Sequence, residues 1–147
     1  MGISKISNLL ESEDVLNSLK TIKKLGINYK KKKKIYYIKG FGLNGFDINK
    51  NTTINAGNSG TLARLILGLL VKSKFVVKMK GDKSLSRRDF SRVINPLKLF
   101  GVNIKSKNNF LPIEITGTKF LRPITYNETI GSAQVKSCII LSALNTP

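Results

Sequence analysis

Three short clusters contain the side chains of this sequence that are best suited to hold an anion. The first is Asn58-Ser59-Gly60-Thr61, and Arg64 follows it one helical turn later. Small residues at a helix start leave backbone N–H groups free, at the end where the helix dipole is positive. A guanidinium one turn further in would add a fork of donors. The cluster therefore predicts an anion site, although an ordinary helix N-cap also explains the tetrapeptide taken alone.

The second cluster is the basic stretch 81–88, which lies between a predicted strand at 75–80 and a predicted helix. It ends in the pair Arg87 and Arg88. Guanidinium groups at a strand-to-helix junction suit a phosphate or a carboxylate, because their planar donors match both anions. The alternative interpretation is a solvated basic loop.

The third cluster is Ser132-Ala133-Gln134, at the start of another apolar helix. Its hydroxyl and amide groups can donate hydrogen bonds to a phosphate or to a sugar-like hydroxyl. A second N-cap is again the alternative. Cys138 lies further along the same helix in an apolar stretch, and this favours a packing role over that of a nucleophile.

The composition limits the chemistry that these clusters can perform. The 147 residues include 26 Lys and Arg, eight Asp and Glu, one Cys and no His, and the net charge is +18. The usual general base and metal ligand is thus absent, and one Cys excludes an internal disulfide and a multi-cysteine zinc site. At 41% hydrophobic residues the chain can form a core. Without a bilayer-length apolar run or a signal-peptide pattern, we expect a soluble, cytoplasmic protein.

The strong positive charge also raises nucleic acid as a partner. Five consecutive lysines, at positions 30–34, lie between tyrosines, a combination that suits single-stranded nucleic acid. However, only five residues are Arg, and Lys, Ile and Asn are abundant throughout, so the lysines are better explained as solvated background. A further interpretation is that the positive field attracts small, multiply anionic substrates.

An internal repeat organises the chain at an offset of 75 residues, where 25–30 (LGINYK) aligns with 100–105 (FGVNIK). Each copy is a predicted helix that ends at a glycine and leads into a hairpin. The first helix is capped by Ser12 and stops at Gly26. The second spans about 89–100, where an apolar stripe indicates a buried face and Pro96 predicts a kink. The hairpins are predicted at 27–39 and 102–116, with the second turn at 107–109.

Two apolar helices form a second set of matching elements, at an offset near 73. They are predicted at 59–72 and from about 132 to 145, buried on most sides. The repeat unit is therefore strand, helix, hairpin, strand, helix, which defines an α/β (α+β) fold. The chain opens on a predicted strand at 3–10 and is out of phase with this unit, so we expect a fragment of a longer protein.

The three clusters, in order and spacing, resemble the motifs of one family. GNSGTLARL, GDKSLSRRDFSRVINPLKLFG and SAQVKSCIILSAL are similar to successive motifs of the 5-enolpyruvylshikimate-3-phosphate (EPSP) synthases. The opening GISKISNLLESEDVLNSLKTIKKLGI also resembles that family, so the resemblance covers essentially all 147 residues. The sister family, which transfers enolpyruvyl to UDP-N-acetylglucosamine, fits the SAQVKS and GDKSL segments less well and is kept as an alternative.

The resemblance implies an inside-out α/β barrel, in which each of two domains contains three βαβαββ repeats. The chain would supply about two repeats of one domain. These are the remainder of repeat one at about 1–50, repeat two at about 51–120 and the start of repeat three at about 121–147. The implied reaction transfers the enolpyruvyl group of phosphoenolpyruvate to the 5-hydroxyl of shikimate 3-phosphate, with release of phosphate. It belongs to aromatic amino acid biosynthesis and needs no metal or organic cofactor.

The resemblance also assigns residues to the two substrates. The positions implied for phosphoenolpyruvate are Asn58, Gly60, Arg64, Arg88 and Gln134. Those implied for shikimate 3-phosphate are Ser132, Ala133 and Gln134. Added bulk at Gly60 would crowd phosphoenolpyruvate and the inhibitor glyphosate, which implies a glyphosate-sensitive parent enzyme. Asp89 replaces the family's usual proline, and its carboxylate is expected to weaken the hold of Arg88 on an anion.

Several groups that the family needs would lie outside these residues, among them an N-terminal Lys-Ser pair and the acid/base carboxylates. Acid–base catalysis needs such a group within hydrogen-bond reach, so the isolated chain is expected to be inactive. Its partners are expected to be small anions, with neither a membrane nor nucleic acid. Full-length members would be monomeric, whereas the fragment can self-associate through exposed apolar surface. A basic nucleic-acid-binding module and a stand-alone repeat protein that binds a partner remain the competing hypotheses.

Overall fold

The computed structural model describes residues 2–147. Its helices are α1 (Glu13–Lys24), α2 (Gly60–Leu69), α3 (Ser91–Leu99) and α4 (Ala133–Ala143). Its strands are β1 (Gly2–Ser7), β2 (Tyr29–Lys32), β3 (Ile35–Gly40), β4 (Thr52–Asn55), β5 (Val77–Lys80), β6 (Asn103–Lys107) and β7 (Phe110–Thr116). Short 3-10 helices occur at Gly42–Asn44 and Leu85–Arg87.

The strands form two sheets, so the predicted mixed α/β class is confirmed. The first sheet has the order β1-β3-β2 and is antiparallel throughout. The second has the order β4-β5-β7-β6, in which β4 and β5 are parallel and the other pairs are antiparallel. The helix α2 connects the two parallel strands β4 and β5, as a parallel pair requires a crossover. Residues 52–116 therefore contain, in order, β4, α2, β5, α3, β6 and β7.

The two sheets share a strand order that matches the repeat in the sequence. The order β1-β3-β2 of the first sheet corresponds to β5-β7-β6 of the second. The offset of 75 places Ile35 opposite Phe110, and these are the first residues of β3 and β7. The helices α1 and α3 are each followed by a glycine in the left-handed region, Gly26 with φ 93° and Gly101 with φ 92°. Both helix stops lie where the sequence predicts them.

The two hairpins close through residues with positive φ. Asn108 and Asn109, with φ 52° and 62°, connect β6 to β7 as the sequence predicts. Lys33, with φ 56°, has the same role in the first hairpin. The lysine run occupies β2 and this turn, and Lys31 forms an ion pair with Glu11. The run therefore belongs to a hairpin, and one of its charges is already paired.

The core lies between the four-stranded sheet and the helices α2 and α3. The apolar stripe predicted for the second helix is fully or almost fully buried, at Phe90, Val93, Ile94, Leu97 and Phe100. On the sheet side it meets buried residues such as Met79, Ile113 and Ile115. The apolar residues recur at helical spacing because they lie on the face of α3 that packs against the sheet.

The helices α2 and α4 approach each other closely at a glycine. A Cβ atom added to Gly68 would lie 2.4 Å from the carbonyl oxygen of Cys138. The hydroxyl of Ser142, which is also buried, donates to the Gly68 carbonyl at 3.3 Å and to the Cys138 carbonyl at 2.8 Å. Only a residue without a side chain fits at position 68, since the nearest opposing atom belongs to the backbone.

The thiol of Cys138 is fully buried at this helix contact, as its apolar context predicts. Burial raises its pKa to about 12, from about 9 in an exposed thiol. Because the folded pKa is the higher one, the protonated thiol stabilises the fold below pH 9, and this contribution is lost as the pH rises towards 12.

We therefore expect Cys138 to stay unmodified by an alkylating reagent at pH 8 until the chain is unfolded in urea. Relative to Cys138→Ala, the wild-type chain should lose about 1.4 kcal/mol of unfolding free energy for each pH unit above pH 9. Urea titrations at pH 8 and pH 10.5 measure this difference. Rapid alkylation of the folded chain would contradict the buried position.

Several boundaries predicted from the sequence are wrong by a few residues. The first strand ends at Ser7 rather than at 10, because Asn8 turns the chain with φ 54°. The helix α3 begins at Ser91 rather than at Asp89, whose carboxylate accepts hydrogen bonds from the N–H and hydroxyl of Ser91. The apolar helices α2 and α4 end at Leu69 and Ala143, short of the predicted 72 and 145, and β5 begins at Val77 rather than at 75.

The prediction that α4 is buried on most sides is also wrong. Ile140, in the last turn of this helix, and Leu144, just after it, are 62% and 54% exposed. Burial on one side comes from α2 and α3, and within residues 2–147 nothing covers the other side of these two side chains. An apolar helix is buried only where the rest of the fold supplies neighbours.

Candidate functional site

The N-termini of α2 and α4 meet through the side chain of Gln134. Its amide nitrogen donates to the hydroxyl of Thr61 at 2.9 Å, and its amide oxygen accepts from Nη1 of Arg64 at 3.1 Å. One of its two N–H donors and one lone pair of its oxygen are thereby used. The first and third clusters of the sequence, some 70 positions apart, form one site.

Each of these helices begins with a serine that acts as an N-cap. The hydroxyl of Ser59 accepts from the N–H of Leu62 at 3.2 Å, and that of Ser132 accepts from the N–H of Val135 at 3.4 Å. The ordinary capping role is therefore real for both residues. Within the described chain, four other N–H groups at these helix starts have no acceptor, namely those of Gly60, Thr61, Ala133 and Gln134. They supply the free donors that an anion needs.

Two guanidinium groups lie over the start of α2. A Cβ atom added to Gly60 would lie 2.7 Å from Nη1 of Arg64 and 3.0 Å from Nη1 of Arg88. Arg64 also donates to the Gly60 carbonyl at 3.2 Å and lies 5.1 Å from the centre of the Phe90 ring. Arg88 is exposed and forms no ion pair with any residue of the described chain. The second cluster thus joins the other two.

The electrostatics of this site favour a bound anion. Partial burial and the nearby cations Arg88 and Arg92 hold the pKa of the Arg64 guanidinium below its ordinary value. Its hydrogen-bond partners are the neutral oxygens of Gly60 and Gln134. A negative ligand placed between Arg64 and Arg88 would relieve this repulsion.

Asp82 is a member of the site that sequence reasoning missed. One of its carboxylate oxygens accepts from the Leu85 N–H at 2.7 Å and the other from the Asn58 amide at 2.6 Å. These hydrogen bonds lower the pKa of Asp82. The signal was an Asp three residues before a buried Leu at the start of a short helix, which is a capping pattern. Asn58 is therefore close to the site, and its amide nitrogen is already bonded.

Asp89 was expected to lie against Arg88 and weaken its hold on an anion. Its carboxylate instead accepts from the backbone N–H and the hydroxyl of Ser91, both at 2.7 Å, and these bonds lower its pKa. Its charge is held at the N-terminus of α3, where it compensates the helix dipole. No ion pair joins Asp89 to Arg88 in the part of the chain that the structure describes.

Two further features of residues 2–147 concern metal ions and membranes. No group of three or more acidic, Cys or His side chains could hold a metal ion there. None of the helices in that range is both long and apolar enough to cross a membrane.

The assembled groups are guanidinium, amide, hydroxyl and backbone N–H donors, which together suit a phosphate or a carboxylate. Fold and site thus define an α/β protein with a cluster of anion-suited donors at two adjoining helix N-termini. The family of EPSP synthase (3-phosphoshikimate 1-carboxyvinyltransferase) matches residues 1–147. The chain belongs to this family.

Individual relatives agree with the family match. The chain is 43% identical over 145 residues to a 3-phosphoshikimate 1-carboxyvinyltransferase of Streptococcus pyogenes, covering 97% of the chain and 34% of that protein. It is 44% identical over 143 residues to the protein of the same name from Vesicomyosocius okutanii, with 97% and 33% covered. A solved structure of EPSP synthase from Acinetobacter baumannii superposes with a TM-score of 0.90 at 36% identity, over 99% of this chain and 33% of that one. The chain therefore spans about a third of the length of these relatives.

Proposed function

We propose that this chain is part of an EPSP synthase, which transfers the enolpyruvyl group of phosphoenolpyruvate to shikimate 3-phosphate and releases phosphate. The observation that carries the proposal is the hydrogen-bonded contact of Gln134 with Arg64 and Thr61. This contact joins two helix N-termini whose free N–H groups suit a ligand with more than one negative charge. The family to which the chain belongs supports the same assignment.

The two substrates would occupy different sides of this contact. Arg88, which is exposed and without an ion-pair partner within residues 2–147, would bind phosphoenolpyruvate together with the free N–H of Gly60. Arg64 and Asn58 would help to form the phosphoenolpyruvate side of the site. Arg64 donates a hydrogen bond to Gln134, and Asn58 donates one to Asp82. The close approach of both guanidinium groups to Gly60 fits the proposal that added bulk there disturbs phosphoenolpyruvate and glyphosate.

Shikimate 3-phosphate would lie at the start of α4. The free N–H groups of Ala133 and Gln134 and the Ser132 hydroxyl are the donors there. The Gln134 side chain would lie between the two substrates, since it contacts α2 and belongs to α4. Such placement holds the reacting groups close together, which is a main source of rate in a two-substrate reaction.

The finer architecture is part of the same proposal. We assign residues 51–120 to one complete βαβαββ repeat, residues 1–50 to the remainder of the repeat before it, and 121–147 to the start of the next. The element order between 52 and 116 supports this division. The complete enzyme would be a cytoplasmic monomer, and the exposed side chains of Ile140 and Leu144 would allow this chain alone to self-associate. The acid–base groups would come from elsewhere in the complete enzyme.

Binding of shikimate 3-phosphate by the purified chain tests the proposal. We expect weak binding, with a dissociation constant of the order of 1 mM, because the chain contributes only some of the ligand's charged contacts. Binding should weaken with added salt, since the donors are partly exposed. The double variant Ser132→Ala with Gln134→Ala should abolish it. Amide chemical shifts in a ligand titration measure the affinity and show which residues respond.

The matched control replaces Ser137 and Asn145, which lie on the same helix or just after it and outside the site, with alanine. This control should bind as the wild-type chain does. A folded wild-type chain that shows no response at 10 mM ligand, roughly ten times the expected constant, would exclude a preformed site.

A further inference from the structure

The segment 117–132 connects β7 to α4 without forming a helix or a strand. Its first part is attached to the core by backbone hydrogen bonds. The N–H groups of Gly117 and Thr118 donate to Ser73 and Val71, both at 2.8 Å, and that of Arg122 donates to Phe100 at 3.1 Å. The segment ends at Ser132, the N-cap of α4. The contacts that order the second part of the segment therefore also determine the position of the start of α4.

In that second part, residues 123–131, Arg92 provides the hydrogen bonds. Its Nη2 atom donates to Oε1 of Glu128 at 3.0 Å and also to the carbonyl of Ile130. Within residues 2–147, no other hydrogen bond involves 123–131. Ile124 and Tyr126 add partly buried packing against the core. One guanidinium thus fixes two points of the segment, at two and four residues before Ser132.

The burial of Glu128 makes this attachment strong. Its side chain is only 10% exposed, and its second oxygen, Oε2, is buried without a hydrogen-bond partner. A buried carboxylate is unfavourable unless a cation compensates it. If Arg92 were removed, Glu128 would have to move out to water, and the segment around it would move too.

Arg92 also links this segment to the anion site from the other side. It is the second residue of α3, two positions after the N-cap residue Phe90, whose ring contacts Arg64. Its charge is close enough to Arg64 to depress the pKa of that group. The Arg92–Glu128 pair thus connects the N-terminus of α3, near Arg64, with the approach to Ser132 and Gln134.

We propose that Arg92 and Glu128 are positioning residues that hold segment 123–131 so that Gln134 stays in contact with Thr61 and Arg64. Neither needs to touch a substrate. The pair sets the separation between the starts of α2 and α4, and through it the affinity for a ligand bound between them. The ligand part of this inference rests on the proposed function, whereas the contact made by Gln134 does not.

The test uses the whole chain labelled with nitrogen-15 and follows two NMR readouts. One is the side-chain amide of Gln134, whose shift reports its hydrogen bond to Thr61. The other is the affinity for shikimate 3-phosphate. In Arg92→Met the Gln134 amide signals should move towards the positions of a free amide, and the ligand should bind about tenfold more weakly, a typical effect of losing a charged hydrogen bond. The matched control is Arg122→Met, since Arg122 is exposed and its side chain forms no hydrogen bond within residues 2–147.

A double variant separates positioning from simple destabilisation. Replacing both partners by apolar residues, in Arg92→Met with Glu128→Leu, removes the uncompensated carboxylate. The unfolding free energy should therefore recover, whereas both readouts should stay close to those of Arg92→Met, because neither hydrogen bond to the segment is restored. Arg92→Lys should fall between wild type and Arg92→Met.

The outcomes are distinct. Unmoved Gln134 signals in Arg92→Met would overturn the inference, as would a double variant whose Gln134 signals return to the wild-type positions. Moved signals with unchanged ligand affinity would overturn the link to binding. If the wild-type chain bound no shikimate 3-phosphate, the proposed function would fail, while the Gln134 signals would still decide whether the pair positions this side chain.

Discussion

Replacing Phe90 with alanine should be the most damaging single side-chain truncation near the site. Phe90 is fully buried in the core, and its ring lies below the guanidinium of Arg64, 5.1 Å from ring centre to Cζ. Removing a buried Phe side chain costs about 3–5 kcal/mol of unfolding free energy, because apolar contacts are lost and a cavity remains. For a domain of this size the melting temperature should fall by about 10 °C. Chemical denaturation followed by circular dichroism gives both quantities.

The control is Phe120→Ala, since Phe120 is 83% exposed and its truncation should change the unfolding free energy by less than about 0.5 kcal/mol. Phe90→Leu separates packing from the contact with Arg64. It should cost only about 1 kcal/mol, because most of the volume is kept. It removes the aromatic face, however, so the hold on Arg64 and the affinity for shikimate 3-phosphate should both decrease. Equal stability losses in Phe90→Ala and Phe120→Ala would mean that the core is arranged differently.

Local features of the fold could be predicted well from the sequence. The stripe that includes Phe90 and Ile94 repeats at helical spacing, and these residues are buried in α3. The hairpin turn at Asn108 and Asn109 was predicted because asparagine tolerates positive φ. Each of these signals depends only on residues within one turn or one hairpin, so no knowledge of distant neighbours was needed.

Contacts between distant residues could not be predicted from the residue pattern. The three clusters each indicated an anion site, but only the family resemblance implied that Gln134 and Arg64 share one. The roles of Asp82 and Glu128 were missed, because a single carboxylate in a polar stretch does not reveal its partner. Ile140 was expected to be buried but is exposed. An apolar pattern indicates which face of a helix can be buried, but not whether a neighbouring element is present to cover it.

Substitution of Gly68 sets two opposing effects against each other. Alanine is favoured over glycine inside a helix by about 1 kcal/mol, and on that ground alone Gly68→Ala would stabilise α2. However, the new Cβ would lie 2.4 Å from the carbonyl oxygen of Cys138 and 3.1 Å from its Sγ atom. Overpacking of this kind typically costs 1–3 kcal/mol, and here the cost should lie at the upper end because a backbone atom cannot rotate away. We therefore expect a net loss of about 2 kcal/mol.

A series of variants makes this expectation sharper. Gly68→Leu should be worse than Gly68→Ala, since α4 would have to move further, whereas an effect of helix propensity alone would favour both. Gly60→Ala is the matched control in the same helix, because its Cβ would approach closely only the flexible ends of Arg64 and Arg88, with Leu85 in ordinary contact at 3.8 Å. It should leave the unfolding free energy almost unchanged and affect ligand binding instead. If urea titrations showed Gly68→Ala to be as stable as the wild-type chain, α2 and α4 would not be in close contact. The joint start of these helices, on which the proposed anion site depends, would then lose its support.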